Sequence, residues 1–438
     1  MRKVIEHAWI LTMDEQFTAI RDGWLLVDGK NIEAMGEGVY PGECDERIDA
    51  RGGILLPGFV NTHCHASMVP FRTMGDDCPD RLRRFLFPLE NEVMTRELVY
   101  LGALYGMAEM LLAGVTTFAD MYYFEDEVVR ACRKTGMQGY LGETVIGQNT
   151  CDSPDRPYGG FEIAREILET YRHDELIHPI IAPHGTTTCD EASLRRAHDM
   201  AVEFDTLMTL HVSEMDYEMK HFADMGHTPL SYMDSIGTVS PHLLAAHCIH
   251  LSQEDIALLG RSGARVAHCI ASNTKAGKGV APVKALLKAG VPVGLGTDGP
   301  SSGNTLSIFD QMRLFANFHK TENRDRSLFP AKEIVALATR GGAQALGAQR
   351  ETGMLKPGMR ADMVLVSTES VNMFPVYNPY SALVYSANAS DVDTVMTGGE
   401  IRVRGGRLTD IDLPALRAEL SAQMKPFMAS AERYQDII

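Results

Sequence analysis

A small set of residues could do metal and acid–base chemistry together: His63 and His65 on either side of Cys64, then His184, His211, Glu214, His247 and Asp298. Neutral imidazoles bind zinc-type ions, and a carboxylate adds an anionic oxygen to a shell that keeps a position for water. In an extended segment, residues two apart project to the same face, so the spacing of His63 and His65 lets both rings reach one ion. A lone histidine on a strand is more often a structural polar group, and His173, His178, His221 and His319 are read that way. Asp298, taken alone in the run GTDGPSSG, would be a turn former. What sets the group apart is position, because its members end or closely follow apolar runs of β character.

Those runs are FVNTH (59–63), VTTFADM (115–121), QGYLGETV (138–145), IHPIIAPH (177–184), DTLMTLHV (205–212), HLLAAHC (242–248), ARVAHC (264–269) and VPVGLGTD (291–298). Helical spacing fills the intervals, as in DEASLRRAHDMAVEFD, which Asp190 is expected to open as the N-cap. Strands alternating with helices over residues 58–358 predict an α/β domain, a (β/α)8 TIM barrel, with a doubly wound open sheet sharing the same alternation. In a barrel the mouth lies at the strand C-termini, where the polar residues cluster at the ends of strands 1, 4, 5, 6 and 8. His268, near the end of strand 7, reads as supporting the following loop, and His250 lies past the end of strand 6. Residues 1–57 and 359–410 have a different texture, with short β runs and hairpin signals at Asp28-Gly29 and Gly398-Gly399. They predict one small β-sandwich built from both chain ends. Residues 411–438 predict a C-terminal helical segment that kinks or breaks at Pro426.

Composition narrows the function classes. The 438 residues are 45% hydrophobic and 23% charged, the profile of a globular protein with ample core. A net charge of −17 opposes a nucleic-acid partner. No apolar run approaches the ~20 residues that span a bilayer, so no membrane partner is expected. The eight cysteines (44, 64, 78, 132, 151, 189, 248 and 269) form no CxxC pair and predict reduced thiols and a cytoplasmic location.

PGFVNTHCH (57–65), HVSE (211–214), AHC (246–248) and GTDG (296–299), in this order, resemble the amidohydrolase superfamily. With FPLENEVMT (87–95), GVTTFADMY (114–122), APHG (182–185), ASNTKAGKGVAPV (271–283) and LKPGMRADMVLV (355–366), the chain is similar to the 5′-methylthioadenosine/S-adenosylhomocysteine deaminase branch, a neighbour of the triazine hydrolases. Ile270 and Thr274 depart from that branch's usual loop run. The resemblance runs from about Ile10 to about Thr409 and implies a barrel with a small β-sandwich. It implies His63, His65, His211 and Asp298 as metal ligands, with Glu90, His184, Glu214 and His247 at substrate-contacting and catalytic positions. Arg156 is the only arginine in the segment after strand 3 (147–160), where such members often hold the far end of the substrate.

Related two-metal barrels carry a carboxylated lysine at the end of strand 4. Ala182-Pro183-His184-Gly185 has no lysine there, so one ion is expected, zinc first, with iron or manganese accepted by the same shell. The expected reaction is hydrolytic deamination of an aminated heteroaromatic ring of adenosine type. Asp298 would act as base, Glu214 would protonate a ring nitrogen, and His247 would orient water or steady the new oxygen. Phe71, Phe85 and Phe87 would serve as core or lid. The rival readings are a triazine-type hydrolase, a guanine-, pterin- or cytosine-type deaminase, and an inactive scaffold of the same fold. A homo-oligomer, dimer or tetramer, is the expected assembly.

Overall fold

In the computed structural model, which describes residues 1–434 and 436, the chain enters and leaves through one mixed nine-stranded sheet. Its N-terminal members include Arg2–Leu11, Ala19–Asp28, Asn31–Glu37 and Ile54–Pro57, and its C-terminal members Met363–Val366, Val392–Thr397 and Glu400–Arg404. The two halves meet where Met363–Val366 pairs antiparallel with Ile54–Pro57. Asp28 pairs with Asn31, so the first hairpin turns on Gly29-Lys30, one residue later than the Asp-Gly signal suggests. Thr397 pairs with Glu400, and Gly398 and Gly399 both take positive φ, as a tight two-residue hairpin turn demands.

Ile54–Pro57 runs through Gly58 into the first barrel strand, Phe59–Cys64. A Cβ at Gly58 would stand 2.2 Å from Thr116 Oγ1, so only glycine lets the chain pass there. Seven further strand positions follow in parallel: Val115–Tyr122, Gln138–Val145, the pair Ile177–Pro179 and Ala182–Pro183, Met208–Val212, Leu243–His247, Arg265–His268 and Val293–Leu295. The fourth strand, expected as one run, is split because Pro179 and Pro183 have no N–H to give a ladder. Bridges at Ile181–Met208 and Gly185–His211 carry it to the fifth. The eighth strand is shorter than its apolar run, and side chains close the barrel there. Asn61 Oδ1 accepts from Thr297 N at 3.0 Å, Asn61 Nδ2 donates to Thr297 Oγ1 at 2.8 Å, and Asp298 N donates to His63 O at 3.0 Å.

Helices flank the strands. Arg96–Leu112 is capped by Thr95, and Glu191–Phe204 by Asp190, whose Oδ1 accepts from Ser193 N at 2.8 Å. Leu413–Ala431 is one continuous helix through Pro426, against the expectation of a break. Proline removes one helical hydrogen bond, but Leu420 before it and Phe427 after it are both buried, and Phe427 packs edge-on against Phe71 at 4.8 Å. Residues 435, 437 and 438 of the expected C-terminal segment lie outside the described residues. Among the described residues no helix is long and apolar enough to cross a membrane, and all eight cysteines are unpaired.

Candidate active site

A cavity of about 730 Å³ opens where the barrel strands end, and His65, His184, His211, Glu214, His247 and Asp298 face it together with Glu90. Two overlapping groups of metal-binding side chains meet behind it: His63, His65 and Asp298, and His63, His211 and His247, each with its donor atoms within 4.8 Å of one another. The four residues expected as ligands are thus brought together around His63, with His247 near enough to be a donor as well.

The orientation of each ring follows from its hydrogen bonds. His65 Nδ1 lies 2.6 Å from Met121 O and His211 Nδ1 lies 2.6 Å from His184 O. A carbonyl only accepts, so both rings carry their proton on Nδ1 and leave the Nε2 lone pair for a cation. His63 Nε2 and His247 Nε2 are buried with no hydrogen-bond partner, a cost that a bound cation would relieve. Those two atoms are the structural sign that the site fits a metal ion. His247 Nδ1 is 2.8 Å from Asn273 Oδ1.

Burial holds His63 and His184 well below the usual histidine range, with help from neighbouring imidazoles, and sets His211 at about 4, so these rings are neutral donors. His65 is the exception. Burial lowers it, but Asp298 Oδ1, 3.2 Å from Nε2, outweighs burial and raises it to about 9. Asp298 is itself held far below the usual carboxylate range, since the His65 ring more than offsets its burial. A cation held by His65 and Asp298 would take the place of that proton.

The backbone at these positions is strained. Ser213, His247 and Asp298 have φ of 53°, 71° and 58°, a region costing non-glycine residues about 1–3 kcal/mol each and tolerated where the surroundings dictate it. Such turns bend side chains at the strand ends back over the mouth. Gly296 keeps the close approach open, since a Cβ there would come within 3.1 Å of His63 Cβ.

Glu214 sits between His247 and Lys278. Its Oε1 is 3.7 Å from His247 Nε2 and accepts from Lys278 Nζ at 2.5 Å. Burial raises this carboxyl, but His247 and Lys278 prevail and hold it at about 2. Glu218 fixes the loop beneath, accepting from Ser213 N at 2.9 Å and Glu214 N at 2.8 Å. Glu90 is buried and accepts from Tyr122 Oη at 2.8 Å; burial pushes it up to about 7 against that bond. His184 meets Thr188 Oγ1 at 2.9 Å and lies edge-on to Phe87 at 5.5 Å.

Not every expected residue arrives. Arg156 is exposed, lies outside the cavity wall and pairs with Glu162 at 3.1 Å, so the structure does not place it with the substrate. His268 is buried beside His319 at 3.1 Å, away from the metal-binding groups, and His250 lines the cavity 3.8 Å from Asp216. Sequence reading passed over Asp120, Asn273 and Lys278. Asp120 Oδ1 accepts from Ala66 N at 2.7 Å and from the Cys64 thiol at 3.1 Å, tying down the residue on either side of His65. Its signal was the one charged residue in the run VTTFADM; for Lys278 it was a lysine set between two glycines.

The family model described as the amidohydrolase family matches residues 54–402. The chain belongs to the amidohydrolase family. A relative named 5-methylthioadenosine/S-adenosylhomocysteine deaminase 1, from Syntrophus aciditrophicus, is 38% identical over 405 residues, 91% of each chain. Among solved structures, an adenosine deaminase from Xanthomonas campestris with bound zinc superposes with a TM-score of 0.93 at 29% identity, covering 98% of each chain. Atrazine chlorohydrolase from Arthrobacter aurescens, also with zinc, reaches 0.89 at 23% identity over 96% of this chain and 100% of its own, a likeness of fold. This amidohydrolase is a metal-dependent enzyme with a site for a single divalent ion of zinc type.

Proposed function

We propose that this amidohydrolase deaminates an adenosine-type nucleoside, water replacing the amino group of the aminated ring and ammonia leaving. The observation that carries the reading is the donor cluster with a buried carboxylate, Glu214, at its edge and a cavity in front. The 38% identical relative and the zinc-bearing adenosine deaminase support it in their names.

His63, His65, His211 and Asp298 would hold a divalent ion, whose chemistry when bound would be to lower the pKa of a water from about 15.7 toward about 7. Asp298 takes a proton from the attacking water; its Oδ1 is already oriented by Gly299 N at 2.7 Å. Glu214 gives a proton to a ring nitrogen, which makes the adjacent carbon electrophilic. Held at about 2, it rests as a carboxylate, so it is a carrier loaded during turnover rather than a stored acid. His247, steadied by Asn273, bonds the incoming oxygen. Glu90 keeps one oxygen on Tyr122 and presents the other to a sugar hydroxyl, and His184 positions the ring beside Phe87. Arg156 has no part.

The test is ammonia release from adenosine and 5′-methylthioadenosine by the zinc-loaded chain and by Glu214→Gln. The variant is expected to keep its zinc and lose about 10²–10⁴-fold in turnover. No ammonia from either nucleoside, or full turnover by the variant, refutes the assignment.

A further inference from the structure

Charge is distributed unevenly along the cavity. Three cationic side chains, Arg81, Lys275 and Lys278, line it against eight carboxylates. Each cation is already engaged. Arg81 donates to Ser301 O and, at 2.8 Å, to Ser302 Oγ; Lys275 donates to Asp76 at 2.6 Å and to Asn304; Lys278 holds Glu214 at 2.5 Å. At the outer rim, Asp77 and Asp80 are exposed and make no side-chain hydrogen bond or ion pair among the described residues. Asp216 is fully exposed, with only His250 near it at 3.8 Å. Arg156, the one arginine expected to meet the far end of a substrate, is committed to Glu162 on the outer surface.

A ligand whose ring lies at the donor cluster therefore projects its other end toward carboxylates, with no uncommitted cation among the described lining residues; Arg83, just behind the wall, lies over the Tyr217 ring at 4.2 Å. A divalent ion at the base adds two positive charges and still leaves the lining negative. Juxtaposed like charges select against a partner more strongly than matched ones select for it. We infer that this pocket selects its substrate by charge, accepting a nucleoside whose far end is net neutral or cationic and rejecting one whose far end carries a net negative charge, as a lone carboxylate or a phosphate does. The inference rests on the adenosine-type reading and names the substrate class within it.

The experiment compares kcat/KM of the zinc-loaded chain for five substrates differing at the 5′ end: adenosine, 5′-methylthioadenosine, S-(5′-adenosyl)-3-thiopropylamine, adenosine-5′-carboxylate and AMP. The two anions are expected to fall at least about tenfold below the other three. That gap narrows between about 0.01 M and 0.15 M salt, as the screening length shrinks from about 30 to about 8 Å. Asp80→Lys raises the ratio of anionic to neutral substrate by about tenfold. Anions turned over as well as adenosine, or a ratio that Asp80→Lys leaves unmoved, overturn the inference while the deaminase reading stands. Ammonia from none of the five ends that reading and this inference with it.

Discussion

Replacing Lys278 with methionine removes the ammonium beside Glu214 and keeps the length of the side chain. Glu214 and Lys278 are 14% and 22% exposed in their side chains, so solvent screens this pair only in part. The carboxyl is held at about 2 against an ordinary 4.5, a difference worth about 3 kcal/mol of folding stability at neutral pH. His247 supplies part of that, and a single opposite charge at contact moves a carboxyl by about 1–3 units, so Lys278→Met should cost about 1.4–3 kcal/mol. With an unfolding entropy near 2.1 cal/mol/K per residue over 438 residues, the melting temperature falls by about 1.5–3 °C. The sign with pH is fixed. A depressed carboxyl stabilises above its unfolded value and loses that contribution as pH falls through its folded one, so the gap between parent and variant is complete above pH 4.5 and closes toward pH 2. The assay is thermal melting of chelator-treated protein from pH 7 to pH 3, so that no bound ion competes with the ammonium. A gap that stays constant across that range, or a variant as stable as the parent at pH 7, refutes the electrostatic account of Glu214.

Two further substitutions probe the remaining carboxylates. Asp298→Ala should abolish turnover and bring zinc, measured by elemental analysis, well below one per chain; full activity with full zinc removes Asp298 from both roles. Glu90, raised by burial to about 7, is the opposite case to Glu214: it costs stability as pH rises from 4.5 through about 7. Glu90→Gln should therefore gain up to about 3 kcal/mol relative to the parent between pH 5 and pH 8, read by thermal melts, while kcat/KM falls through loss of a substrate contact. A parent–variant difference that does not move with pH would contradict the buried, late-titrating carboxyl.

The barrel was legible because parallel strands buried on both faces read as apolar runs, and because a barrel gathers all its strand ends at one mouth. His63, His65, His211, His247 and Asp298 are spread over more than two hundred residues, yet strand ends bring them within reach of one another. Contacts made across the mouth by loops were not legible. Lys278 reaches Glu214 from 64 residues away, Asp120 reaches Ala66 across 54, and neither spacing carries a period that a sequence pattern could register. Arg156 shows the converse. Being the only arginine in its segment said nothing about which side of the loop it faces, and the nearby Glu162 draws it outward.

The places where local sequence rules fail are informative about function. Turn chemistry predicts glycine or asparagine wherever φ is positive, and the sheet hairpins obey at Gly29, Gly398 and Gly399. At the barrel mouth the same conformation is occupied by Ser213, His247 and Asp298, with no relief from side-chain size. Glycine at those three positions would cost less strain, and at two of them it would remove the imidazole and the carboxylate that face the cavity. The strain, like the orphaned Nε2 atoms of His63 and His247, is a local cost that folding alone does not explain. Positive φ and unpartnered buried atoms occur elsewhere in the chain as well, but at the mouth the two coincide on His247, and both become intelligible there once the same atoms bind a cation and a substrate.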